Sequence, residues 1–220
     1  MHPFIFDFNG TLFPDANIHR EAWKRFMARY GFCITDEIFD RRMYGPSNPV
    51  ILRSFFGDLT DEQVDSLSAE KEVVYRQIVL DDPSLRALAP GAPEMLDMLK
   101  ARGVPCAIAT ASIWDNVRFY MDTLGMRRWF DFEHVFYDTG DMPGKPDPAI
   151  YRLTMDRLGY APEDTTVVED SLSGIHAAHG AGVGRIIAID TTLGPQALTE
   201  IHCVDEIIHD FHGFERFIDG

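Results

Sequence analysis

Phe4-Ile5-Phe6-Asp7-Phe8-Asn9-Gly10-Thr11-Leu12 decides the reading of this chain: a short apolar run meets an aspartate, an amide, a glycine and a threonine. Such a run has the length and character of a buried strand, with polar residues collecting where the strand stops. Four more runs of this kind follow, at 105–109, 134–137, 166–168 and 185–189. Segments with helical spacing lie between the later ones, at 93–102, 113–124, 148–158 and 172–179, several closed by a glycine: Gly103, Gly125, Gly159 and Gly180. Buried strands alternating with crossover helices predict an α/β fold with a Rossmann-like parallel sheet.

In an open parallel sheet, ligands bind beyond the carboxyl ends of the strands. The residues placed there are Asp7 after the first run, Thr110 and Ser112 after the second, Asp138 after the third, Glu169 and Asp170 at the fourth, and Asp190 after the last. Lys145 lies in the Gly144-Lys145-Pro146-Asp147-Pro148 loop. Carboxylates grouped with a lysine and hydroxyls suit a hard cation and a phosphate better than a soft metal or a nucleophilic serine.

The stretch 15–88 has no convincing strand and reads as amphipathic helices in succession. One presents Ile18, Ala22, Trp23, Phe26, Met27 and Tyr30 on a single face; a longer one presents Val64, Leu67, Val74, Tyr75, Ile78 and Val79. Pro14 marks one edge, and Asp81-Asp82-Pro83 with Pro90-Gly91 marks the other. The expected organisation is a core from 1–14 and 89–220 and an inserted α-helical cap over 15–88. Lys71 stands within the longer stripe, where a lysine either snorkels from the edge or turns its charge to a bound anion.

Composition narrows the function. The 220 residues include 20 Lys plus Arg against 35 Asp plus Glu, a formal charge of −15, which repels a polyanion and argues against nucleic acid as a partner. Apolar runs are strand-sized and the first eight residues lack a signal-peptide pattern, so no membrane partner and a cytoplasmic location are expected. Cys33, Cys106 and Cys203 are odd in number and far apart, and are expected to be reduced, buried small residues rather than a disulfide framework or zinc site. His176 and His179, three apart on a helix, are read as surface residues.

Four motifs occur in order: Phe6-Asp7-Phe8-Asn9-Gly10-Thr11-Leu12, Ala109-Thr110-Ala111-Ser112, Lys145-Pro146-Asp147-Pro148 and Val168-Glu169-Asp170-Ser171. Together they resemble the haloacid dehalogenase superfamily, in its phosphatase and β-phosphoglucomutase branch with a helical cap, over essentially the whole chain. The resemblance implies that Asp7 is a nucleophile forming an aspartyl-phosphate. It also implies Mg²⁺ held by Asp7, the backbone carbonyl of Asn9 and Asp170, with Glu169 alongside. Thr110, Ala111 and Ser112 would bind phosphate oxygens, Lys145 would neutralise charge, and Lys71 would hold substrate from the cap. The implied partner is a small phosphorylated metabolite, and a monomer is favoured.

Asn9 departs from the pattern, because phosphatases and mutases of this superfamily carry an aspartate there as general acid and base. An amide does neither. General acid–base catalysis is worth about 10²- to 10⁴-fold, so three readings stay open. The substrate has a good leaving group; His19, at the start of the first cap helix, supplies the proton; or the chain binds a phosphorylated ligand without turning it over. The dehalogenase branch also lacks this aspartate but needs no metal, whereas Glu169-Asp170 is a metal-type motif. Where mutases place a cap arginine for a second phosphate this chain has Asn48, with Arg53 nearby, which favours a hydrolase over a phosphotransferase.

Overall fold

The computed structural model describes residues 2–218. The chain divides into two compact units, one of Met1–Pro14 with Ala87–Gly220 and the other Asp15–Arg86.

The first unit is built on a six-stranded, all-parallel sheet: β1 (Phe4–Phe6), β2 (Cys106–Ala109), β3 (Val135–Phe136), β4 (Thr166–Glu169), β5 (Arg185–Ile189) and β6 (Glu206–Ile208), in the order β3-β2-β1-β4-β5-β6. β1 is central, and its three residues are buried on both faces, as a strand covered by crossover helices must be. In register, Phe6 faces Ile108 on one side and Val168 on the other, so the segments that leave β1, β2 and β4 emerge at one level. On one face Ile5, Ala107, Val167 and Ile186 pack with Tyr151, Ile175 and Ala178 of two crossover helices. The other face carries an aromatic cluster of Phe4, Phe6, Phe211 and Phe214.

The second unit is wholly helical among the described residues: α1 (Ala16–Ala28), α2 (Asp36–Arg42), α3 (Asn48–Phe56) and α4 (Asp61–Asp81). α4 starts on a capping box, with Thr60 Oγ1 accepting from Gln63 N–H at 3.2 Å and Gln63 Oε1 accepting from Thr60 N–H at 2.9 Å. α1 packs on α4 through Ile18, Ala22, Trp23, Phe26 and Met27. The remaining helices of the sheet unit are α5 (Ala92–Ala101), α6 (Trp114–Thr123), α7 (Ala149–Leu158), α8 (Leu172–Ala181) and α9 (Pro195–Thr199). No helix among the described residues is long and apolar enough to cross a membrane.

Several sequence expectations are corrected. A sixth strand, β6, joins the five; its residues Glu206-Ile207-Ile208 form an edge, with only Ile208 buried, so no apolar run announces it. His134 lies in a 3₁₀ turn and β3 is only two residues long. Gly180 is inside α8, and the stop is Gly182, whose φ of 80° supplies the left-handed cap. Tyr30 lies past the end of α1 and is exposed, its hydroxyl donating to Glu70 at 2.7 Å. Cys33 is exposed, and Cys106 and Cys203 are half-buried, so burial is not what they share; all three are free thiols.

Candidate active site

Asp7 begins where β1 ends. Its N–H donates to Val168 O at 3.0 Å, which continues the β1–β4 ladder by one residue and fixes the direction in which the carboxylate leaves the sheet. Lys145, from the loop before α7, donates through Nζ to Asp7 Oδ1 at 2.6 Å, to Glu169 Oε1 at 2.6 Å, to Tyr151 Oη at 3.0 Å and to Ala109 O at 3.2 Å. Glu169 closes β4 with both oxygens engaged. Oε1 takes Lys145 and the Tyr151 hydroxyl, at 3.1 Å, while Oε2 accepts from the N–H groups of Asp170 and Ser171 and the Ser171 hydroxyl.

Asp170 accepts from the Thr11 hydroxyl at 3.1 Å and from the Thr192 hydroxyl. The chain from β1 passes close under it. At Gly10, with φ at 83°, a Cβ would run into the Asp170 carboxylate, so only glycine suits both the backbone and the space. The Thr191 hydroxyl donates to Gly10 O and ties this turn to the end of β5.

Two buried carboxylates, Asp7 and Glu169, therefore share one ammonium while a third, Asp170, lies beside them, and their ionisation follows from that arrangement. Burial drives the Asp7 carboxyl well above its usual range; Lys145 pulls against this, while Glu169 and Asp170 add to it. Burial also raises Asp170, helped by Glu169, to about 7. Glu169 is lowered, because Lys145 and the Ser171 donors outweigh its own burial. Burial works against the charge on Lys145, but Asp7 and Glu169 outweigh it and hold its pKa well above the ordinary lysine value.

Ligand oxygens of Asp7, Glu169 and Asp170 lie within 4.8 Å of one another. Three carboxylates, when ionised, carry two more negative charges than Lys145 can balance, and such an all-oxygen set fits a hard divalent cation. Asp7 and Asp170 are the better placed to hold it, since the oxygens of Glu169 are taken by Lys145, Tyr151 and backbone donors.

On the other side of Asp7 stands the β2 end. Thr110 is buried and its N–H donates to Phe136 O at 2.9 Å. Asn9 Oδ1 accepts from the hydroxyls of Ser112, at 2.7 Å, and Thr110, at 3.3 Å, and Ser112 N–H donates to Thr110 Oγ1 at 3.1 Å. Asn9 Nδ2 donates to Tyr120 Oη at 2.9 Å. Ala111, between the two hydroxyl residues, is exposed.

Of the residues expected from the sequence, Asp7, Asn9, Thr110, Ala111, Ser112, Lys145, Glu169 and Asp170 fall in this one region of the sheet unit. His19 and Lys71 meet each other in the helical unit. His19 Nδ1 is 2.8 Å from Lys71 Nζ, His19 Nε2 is 3.3 Å from Asp15 Oδ2, and the imidazole stacks on Tyr75 at 4.3 Å. Lys71 is not a snorkelling lysine: it is 1% exposed, its Nζ is 2.8 Å from Glu72 Oε1, and Asn48 Nδ2 donates to that same oxygen at 2.9 Å. A buried carboxylate beside it keeps the ammonium inside. Arg53 is spent on Asp61 at 2.6 Å.

Thr11, Tyr120, Tyr151, Thr191 and Thr192 were not anticipated. Thr191 and Thr192 come just after Asp190 at the end of β5 and satisfy the same strand-end rule; Tyr120 and Tyr151 sit in helices with no local signal.

A parallel sheet with a lysine-bridged carboxylate pair, a further aspartate and two hydroxyls at its carboxyl ends defines a hydrolase for phosphate esters. The chain belongs to the haloacid dehalogenase-like hydrolases, whose family description matches residues 3–182. It is 30% identical over 209 residues to the phosphorylated carbohydrates phosphatase of Thermotoga maritima, covering 93% of each chain. It is also 30% identical to the validoxylamine A 7'-phosphate phosphatase of Streptomyces hygroscopicus subsp. limoneus, over 89% of each. Among solved structures, a HAD hydrolase of family IA, variant 3, from Entamoeba histolytica superposes with a TM-score of 0.91 at 30% identity, covering 100% of this chain and 98% of that one.

Proposed function

We propose that the chain is a Mg²⁺-dependent phosphatase for a small phosphorylated metabolite of the sugar-phosphate kind, working through an aspartyl-phosphate on Asp7. The observation that carries this is the bridge from Lys145 Nζ to Asp7 and Glu169, both at 2.6 Å, with Asp170 alongside. An Asp7 oxygen attacks phosphorus while the ester P–O bond breaks, and the leaving oxygen departs as an alkoxide that takes its proton from solvent. Water then attacks phosphorus and gives its proton to solvent, the bond from Asp7 to phosphorus breaks, phosphate departs and the Asp7 carboxylate is regenerated, so one difficult step becomes two.

Lys145 holds a positive charge between nucleophile and phosphate, and Glu169 holds Lys145 in place. Thr110 and Ser112, with the backbone around Ala111, would receive the phosphate oxygens. Mg²⁺, held by Asp7, Asp170 and the Asn9 carbonyl, would offset the charge on the carboxylates and the phosphate. Substrate selection is assigned to the helical unit, but not to Lys71, which is buried and paired with Glu72. The phosphatases of sugar-like phosphates among the relatives support this class of substrate.

Asn9 carries no proton to the leaving group. Losing a general acid costs about 3 to 5 kcal/mol, which favours esters with weakly basic leaving groups. In the helical unit Lys71 is neutralised by Glu72, Asn48 is bonded to Glu72 and Arg53 is paired with Asp61, so none of these offers a spare cation for a second phosphate. This favours hydrolysis over phosphoryl transfer between sugar positions.

The test is Mg²⁺-dependent phosphate release from acetyl phosphate, p-nitrophenyl phosphate and a panel of sugar phosphates, with Asp7→Asn and Asn9→Asp. The proposal expects turnover by the wild type, none by Asp7→Asn, and a gain in Asn9→Asp that is largest for the sugar phosphates. A wild type inert on every ester, with only Asn9→Asp active, would make the native protein a phosphate-ligand binder instead.

A further inference from the structure

Asn9 is held by a residue with no part in the chemistry above. Tyr120, in α6, is 3% exposed, and its ring stacks on Phe8 with centroids 4.4 Å apart, between the two residues of β1's exit that matter most. Its hydroxyl oxygen accepts from Asn9 Nδ2 at 2.9 Å and lies 3.3 Å from Ser112 Oγ, while Ser112 Oγ donates to Asn9 Oδ1 at 2.7 Å. The three side chains close a triangle. Thr110 joins it at Asn9 Oδ1, and Ser112 N–H at Thr110 Oγ1 ties it to the backbone.

An amide has a donor end and an acceptor end, and this triangle engages both. The acceptor end holds two hydroxyls of the β2 loop; the donor end is anchored by the phenol. We propose that Tyr120 is a positioning residue: its hydroxyl orients the Asn9 amide, and through it sets the Thr110–Ser112 loop for a phosphate. At position 9, in this account, the side chain works as a clamp between two loops rather than as a proton carrier. The inference rests on the phosphatase reading for its kinetic consequence, but not for the hydrogen-bond arrangement itself.

Tyr120→Phe removes only the hydroxyl and keeps the ring stacked on Phe8. One neutral hydrogen bond is worth up to about tenfold in an equilibrium constant. With Mg²⁺ and p-nitrophenyl phosphate, Tyr120→Phe should raise KM and the inhibition constant for inorganic phosphate together, by up to about tenfold. kcat should change much less and the melting temperature should stay near the wild-type value. Ser112→Ala, which also removes a group assigned to the phosphate, should raise both constants at least as much, and adding Tyr120→Phe to it should cost little more, because the triangle is already open. Rises that multiply in the double variant, or a fall confined to melting temperature, would overturn the proposal.

A readout independent of turnover is the NMR signal of the Asn9 side-chain amide. Its hydrogens should exchange slowly with water in the wild type and quickly in Tyr120→Phe. Equal exchange in the two overturns the positioning role even if the chain proves an active phosphatase. Slow exchange lost in Tyr120→Phe upholds it even if the wild type proves inert.

Discussion

Lys145 Nζ lies 2.6 Å from Asp7 Oδ1, and the same ammonium lies 2.6 Å from Glu169 Oε1. Lys145→Met would leave two buried carboxylates without their cation. Asp7, already raised by burial, would rise further and lose the charge it needs to attack phosphorus. Turnover should fall at least about 10²-fold. Removing one member of a buried ion pair typically costs about 3 to 5 kcal/mol, which urea unfolding would measure. Lys145→Met with near-normal turnover would contradict the role given to this lysine.

Asp170 gives the metal-free protein a pH signature. Its pKa rises from an ordinary 3.8 to about 7 on folding, so between those values the folded chain binds more protons than the unfolded one. Stability then falls as pH rises through that window. The melting temperature in EDTA should drop between about pH 5 and 7.5 more in the wild type than in Asp170→Asn. Mg²⁺ should recover more of it at the higher pH, because the ion binds the deprotonated carboxylate. Parallel curves for the two proteins would contradict the assignment.

Two glycines with nearly equal φ separate strain from steric cost. Gly182→Ala, at φ 80° with open space around it, should lose only the left-handed penalty of about 1 to 2 kcal/mol and keep full activity. Gly10→Ala, at φ 83°, drives its methyl into the Asp170 carboxylate. It should abolish metal-dependent stabilisation and turnover as well. Calorimetry with and without Mg²⁺ distinguishes the two; equal behaviour would show that Gly10 is needed for its backbone alone.

The Lys71–Glu72 pair is buried within the helical unit. Glu72→Gln strands the ammonium and should destabilise the protein by about 3 to 5 kcal/mol, whereas Lys71→Met with Glu72→Gln should recover much of that. A double-mutant cycle by urea denaturation checks this, and additive losses would mean that the pair is not coupled.

The sequence was legible where apolar runs end in polar residues. Asp7, Thr110 and Glu169-Asp170 were found because each sits at a strand end, and Lys145 because of the loop around it. Asn9 was visible only as a departure, since its meaning depends on Tyr120, a helical residue more than a hundred positions away that no local pattern connects to β1. Thr11 and Thr192 lay in plain view after β1 and β5, yet their hydroxyls became informative only once both reached Asp170. For Lys71 the spacing leaves snorkelling and anion binding both open, because it shows which face a residue takes but not that Glu72 is buried beside it. β6 escaped because an edge strand with one buried residue has almost no hydrophobic signature.

The most direct test of the account is to mix enzyme and Mg²⁺ with acetyl phosphate, quench in acid within the first turnover, and map phosphorylation by mass spectrometry. The account predicts one phosphoryl group on the peptide containing Asp7, absent in Asp7→Asn and lost when acetyl phosphate is removed before the quench. Phosphate release with no phosphoryl group on Asp7 at any quench time would contradict it.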